Sequence, residues 1–142
     1  MPSGSFLRFG LGLLVGLALL FACSGSPDKS PAAAADGANQ VYGHWAYASG
    51  ESEGSTTHVS GDLKLHADGT FEDSRYIGGI GGFRKGTFTI EGEQLRLTFD
   101  EGGNTQTYAF TLGAASDADG KQLDTLLLDG QGLSFLLTRK GD

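Results

Sequence analysis

Cysteine is nearly missing from this chain: its 142 residues include one, Cys23. No disulfide can form within the chain, and no thiol pair offers a redox centre or a cysteine-rich metal site. Tryptophan and methionine also occur once each, and proline three times. Positive charge is scarce. Ten Lys and Arg stand against 17 Asp and Glu, a formal net charge of −7. An acidic chain without a Lys/Arg cluster lacks the electrostatic footprint of a nucleic-acid binder, and of a protein that docks on anionic head groups. Helical periodicity is missing after residue 22. No nucleophile, base and orienter stand in a recognisable pattern, so the chain is not expected to be an enzyme.

What is present is alternation. In Gly86–Phe99, Phe88 and Ile90 alternate with Thr87, Thr89 and Glu91; Gly92 breaks the run; Leu95, Leu97 and Phe99 then alternate with Gln94, Arg96 and Thr98. Period-two alternation on both sides of a short glycine turn predicts a β-hairpin with one dry and one wet face. The same unit recurs at Val41–Ser49, Asp62–Ala67 (which His58–Ser60 extends backwards), Thr70–Ile77, Thr105–Leu112, Leu123–Asp129 and Leu133–Lys140. Asp68-Gly69 and Gly130-Gln131-Gly132 mark turns, and Gly50–Thr56 and Gly113–Gln122 read as polar loops. Eight strands with short connections imply an antiparallel up-and-down meander. Closing it into a barrel removes both edges and covers the dry face. The fold class is therefore all-β, an eight-stranded antiparallel up-and-down β-barrel.

The first residues differ in kind. Arg8 precedes the apolar run Phe9–Phe21, too short to span a bilayer, which takes about 20 residues. This is the layout of an export signal. Leu20-Phe21-Ala22-Cys23 resembles the lipobox of bacterial lipoproteins, with an aliphatic residue at −3, a small one at −1 and Cys at +1. The resemblance implies cleavage before Cys23, lipidation of its sulfur, and anchoring in the cell envelope. Ser24, rather than Asp, at +2 favours the outer membrane. Ser24–Asn39 has almost no large apolar residue and reads as a disordered tether. The expected division is a signal peptide at 1–22, a lipidated Cys and flexible linker at 23–40, and a β-barrel at 41–142.

Gly43-His44-Trp45 at the head of the first strand resembles the Gly-x-Trp of lipocalins and their calycin relatives. In that family the Trp closes one barrel end and stacks on an Arg of the last strand, which implies the trio Gly43, Trp45 and Arg139. Leu-His-Ala-Asp-Gly-Thr-Phe71 and Gly-Thr-Phe-Thr-Ile90 are similar to segments of small lipocalin-like domains of bacterial lipoproteins. The likeness spans about residues 41–140, without the family's C-terminal helix or disulfide.

Candidate site residues are few. Asp73 and Arg75 share the parity of Phe71, so alternation points them inward, to pair with each other or to face a polar ligand at a barrel mouth; a bulge would instead turn them to solvent. Gly78–Gly82 sets four glycines around Ile80, beside Phe83. It can act as a flap over the mouth, an apolar contact for a partner, or a plain turn. The histidines, His44, His58 and His66, lack convergent spacing and read as surface residues, so no metal is expected. Asp117–Asp124 approximates a calcium loop but puts Lys121 at a ligand position, which favours a polar hairpin loop. No cofactor is implied. The functional expectation is a lipid-anchored binding module for a small hydrophobic ligand or an envelope protein, with its rim at Asp73, Arg75, Ile80 and Phe83. The competing expectation is a structural or envelope-assembly lipoprotein whose barrel is solid.

Overall fold

A computed structural model describes residues 39–141; the expected signal, Cys23 and nearly all of the linker lie outside the described residues. The strands are β1 (Gly43–Ser52), β2 (Ser55–Thr57), β3 (Val59–Leu65), β4 (Thr70–Ile77), β5 (Ile80–Glu91), β6 (Gln94–Phe99), β7 (Thr105–Ser116), β8 (Gln122–Gly130) and β9 (Leu133–Arg139). Every pairing is antiparallel, and neighbours in sequence are neighbours in space from β3 onward. The last strand returns to the first: Trp45 faces Arg139, Tyr47 faces Leu137, and Ser52 faces Leu133. The sheet is a closed eight-stranded barrel.

The ninth element does not widen the ring. β2 and β3 run along the same edge of β1 and are parted only at His58. The polar stretch expected as a loop at Gly50–Thr56 is instead the end of β1, a tight turn at Glu53-Gly54, and the start of β2. The register of β1 against β9 slips by one residue between Tyr47 and Ser49, a β-bulge. The polar loop expected at Gly113–Gln122 is likewise shorter, because β7 runs to Ser116. Asp117 closes the remaining turn on itself: its Oδ1 accepts from the amides of Asp119 and Lys121.

Alternation places the core. Trp45, Phe71, Phe88, Phe99, Phe110 and Phe135 all point inward and are buried, with Leu63, Leu65, Leu95, Leu97, Leu126, Leu128 and Leu137 between them. Phe71 meets Phe99 edge-on at 5.3 Å, and Tyr47 meets Phe135 edge-on at 5.7 Å, a favoured aromatic geometry. Packed side chains fill the lower barrel, as the diameter of an eight-stranded ring allows.

The two ends of the barrel differ. One end, the base, carries the β3–β4, β5–β6 and β7–β8 turns and both ends of the described chain. Asn39–Val41 forms a helical turn there, and Val41 is buried in the core. The other end, the mouth, carries the β4–β5 and β8–β9 turns and the β6–β7 loop. β5 overhangs β6 at this end. Their pairing begins at Gly86 opposite Phe99, with one more bond from the Asp100 amide to the Lys85 carbonyl (3.0 Å), so the backbone of Ile80–Arg84 pairs with β4 alone.

Candidate functional site

At the base, three residues interlock. The Arg139 guanidinium lies 4.2 Å from the centroid of the buried Trp45 ring. Its Nη1 donates to the Tyr42 carbonyl (2.9 Å), its Nη2 to the Gln40 carbonyl, and its Nε to Asp124 Oδ2 (3.0 Å). Trp45 Nε1 donates to the Val41 carbonyl at 2.8 Å, so the indole has its one polar partner. A Cβ at Gly43 would stand 2.6 Å from Arg139 Nη1; glycine leaves that space to the guanidinium. The indole nitrogen of Trp45 and all three nitrogens of the Arg139 guanidinium are satisfied within the protein, which makes the base a plug.

The mouth is built differently. Alternation along β4 does carry Asp73 and Arg75 inward: Asp73 is 0% exposed and Arg75 7%. Their neighbours come from other strands. Arg84 stands directly across from Asp73 in the β4–β5 register, and its Nη2 donates to Asp73 Oδ2 at 2.7 Å. The Tyr47 hydroxyl of β1 donates to Asp73 Oδ1 at 2.9 Å. Two arginines thus share one carboxylate.

Arg75 is the less well held of the two. Its Nη2 lies 3.5 Å from Asp73 Oδ2 and 3.4 Å from Gln106 Oε1, and its Nη1 lies 3.3 Å from the Tyr108 hydroxyl. Charge-assisted hydrogen bonds usually close to about 2.7–2.9 Å. Aromatic faces supply the remaining contact: the Arg75 guanidinium sits 4.8 Å from the Phe135 centroid and that of Arg84 4.6 Å from Phe99. Burial opposes the Arg75 charge, but Tyr47, Asp73 and Tyr108 hold its pKa above the usual value, so it stays a cation. Burial foremost, then the Asp73 charge, pushes the Tyr47 hydroxyl well above its ordinary range, against a smaller opposing pull from Arg75. Tyr47 remains a neutral donor.

This cluster floors an open cleft of about 480 Å³ walled by Arg75, Arg84, Gln106, Tyr108 and Gln131, with Ile77, Ile80 and Leu133 at the lip. A second cleft, of about 420 Å³, lies beneath the overhang of β5 and shares Arg84 and Gln106 with the first. Gly82 faces Arg75 across the strand pair, and a Cβ there would touch nothing. Side-chain space is left empty at this position of the cleft lining, across the strand pair from Arg75.

The rim residues divide. Ile80 has inward parity but stands at the very lip, 83% exposed. Phe83 is 59% exposed and has outward parity, one strand position from the mouth cluster rather than in it. The stretch Gly78–Gly82, open in sequence between a flap, an apolar contact and a plain turn, contains a two-residue turn, with β5 resuming at Ile80. Gly78 and Gly79 have φ of 59° and 83°, and Ile77 pairs with Ile80 across them. Two successive positive φ values are what a tight hairpin of this twist needs, and strand pairing resumes at once beyond them. Of the histidines, His58 and His66 are exposed, but His44 is half-buried, with Nε2 3.5 Å from Asp62 Oδ1.

Arg84, Tyr47, Tyr108 and Gln106 were not singled out from sequence. Arg84 was within reach of it: Arg84, Gly86, Phe88 and Ile90 alternate, and counting back from Phe88 gives Arg84 inward parity. The fold and site together define a closed β-barrel with a plugged base and an open mouth in which two arginines share one buried carboxylate. No family model, curated protein or solved structure matches the chain.

Proposed function

We propose that this protein is a lipid-anchored lipoprotein of the bacterial cell envelope, similar to small lipocalin-like barrels, which binds a small ligand at the barrel mouth and performs no catalysis. The observation that carries the reading is the charged cluster beneath an open cleft. Charges removed from water are costly unless well paired, and apolar residues of similar volume often serve stability as well or better. A barrel that only needed a solid core would be expected to place leucine or phenylalanine where Asp73, Arg75 and Arg84 meet. Convergent polar groups in an otherwise apolar concavity are the usual make-up of a binding site. The packed lower barrel argues for a ligand at the mouth rather than deep inside.

The competing reading, a structural or envelope-assembly lipoprotein, draws on the aromatic filling of that lower barrel. Native mass spectrometry of the protein purified from its own host separates the two. Wild type should carry a small molecule. Gly82→Leu, which fills the empty space across the strand pair from Arg75, should lose it without a lowered melting temperature. Equal retention by both would move the site away from the mouth, and a wild-type protein that carries nothing would favour the structural reading.

The lipobox supports the anchor and the outer-membrane address. Replacing Cys23 by Ser should leave the protein uncut or released from the membrane. Membrane fractionation of a cut Cys23→Ser protein would remove the lipoprotein reading.

A further inference from the structure

The charge balance and lining of the mouth define what it would take. Asp73, Arg75 and Arg84 bring two positive charges and one negative charge to the cleft floor. The carboxylate is the deepest of the three and fully buried, while the Arg84 side chain keeps 34% of its surface exposed. From the cleft, a ligand therefore meets guanidinium groups and the Tyr108 hydroxyl and not the carboxylate. Arg75 makes three polar contacts, none shorter than 3.3 Å, so its donors are under-used. Above them Ile77, Ile80 and Leu133 form an apolar lip, with Ile80 almost wholly in solvent.

We infer that the mouth binds a monoanionic oxyanion, a carboxylate, a sulfate ester or a phosphodiester, that carries a short apolar tail. The head group would complete the hydrogen bonding of Arg75 and Arg84 and bring the cluster to neutrality. Arg is suited to this because its fork matches the two oxygens of a carboxylate or phosphate. The tail would cover Ile80 and its neighbours, removing their apolar surface from water. The volume of the cleft lies within the range of small-molecule pockets, about 300–1,000 Å³. Because the chain as a whole is acidic, its long-range field repels anions, and the preference must come from these short contacts. The inference rests on the mouth being the binding site, and its test is chosen to fail separately from that reading.

Isothermal titration of the described barrel, within the intact chain, would compare decanoate, decyl sulfate, decanol and acetate, with amide chemical shifts locating each. Decanoate or decyl sulfate should bind at the mouth at least tenfold tighter than decanol, and acetate more weakly than either; which of the two heads is preferred distinguishes carboxylate from ester. Arg84→Gln should weaken the anion at least tenfold and leave decanol unchanged. Asp73→Asn, isosteric and still able to accept from Tyr47, should tighten the anion several-fold by removing the competing charge. Gly82→Leu should abolish mouth binding of all four probes. Decanol binding at the mouth as tightly as both anions would overturn the inference while leaving the mouth as the site. Absence of any shift at Arg75, Arg84 and Gln106 with all four probes would overturn both. An Arg84→Gln barrel that binds decanoate as wild type does would also overturn the anion assignment.

Discussion

At the scale of single residues, two side chains have consequences that can be measured. Trp45 is fully buried, with its indole nitrogen satisfied by Val41 and its face covered by Arg139. Trp45→Ala removes the largest core side chain and leaves Arg139 without its ring, so the cost should be about 3–5 kcal/mol, as for other aromatic truncations. That is a large part of the stability of a small domain, about 5–15 kcal/mol. Urea unfolding checks it; a shift of under 1 kcal/mol would place Trp45 outside the core. Tyr47 bears on pH. Its folded pKa is raised, by burial first and by Asp73 second, so the stability it contributes is complete below the unfolded value of about 10. That stability is lost as pH rises through the folded value, by up to about 1.4 kcal/mol per pH unit. Tyr47→Phe should be less stable at neutral pH, by about 1–3 kcal/mol, because Asp73 loses a donor. It should also lose less stability than wild type between pH 10 and 12, read from unfolding midpoints.

At the scale of elements, the β4–β5 hairpin shows where the pattern was legible and where it was not. Alternation from Phe71 was enough to turn Asp73 and Arg75 inward, and alternation through Phe88 and Leu97 was enough to align β5 with β6. The glycines after Ile77 were harder. Composition marks such a stretch as irregular, yet only Gly78 and Gly79 adopt left-handed φ, while Gly81 and Gly82 lie in the strand. A Cβ at Gly81 would stand 1.9 Å from the Arg75 carbonyl, whereas one at Gly82 would meet nothing, so two glycines alike in sequence serve close approach and open space. Neither role leaves a local signal. Two partners of the Asp73–Arg75 pair were hidden for a similar reason: Tyr47, which donates to Asp73, and Tyr108, which lies against Arg75, come from β1 and β7, and only the curl of the barrel brings them to β4. The hairpin itself can be tested. Gly78→Asn should change stability by less than about 0.5 kcal/mol, since Asn-Gly favours this turn. Gly79→Val should cost about 1–3 kcal/mol, because a β-branched residue is strained at positive φ. Thermal unfolding of the two variants gives the comparison; equal effects would rule out the two-residue turn.

For the molecule as a whole, closure brings the chain ends together. The Lys140 amide donates to the His44 carbonyl at 2.8 Å, one residue beyond the Trp45–Arg139 pair. A circular permutant with 141 joined to 40 by a short Gly/Ser linker and new ends in the β6–β7 loop at Gly102-Gly103 should fold to the same barrel. Chain ends that lie close at the surface make such permutation tolerable. A native-like circular dichroism spectrum with one cooperative melt is the expected outcome; loss of the melt would show that β9 needs its present connection to find β1. Both ends of the described residues leave from the plugged base. The same plug fixes the molecule's optical behaviour. The chain has one tryptophan, and it is sealed at the base, remote from the clefts. Its emission therefore follows the integrity of the barrel and stays dark to events at the rim, so a fluorescent report on the mouth needs a second indole, placed at the lip in the exposed position of Ile80.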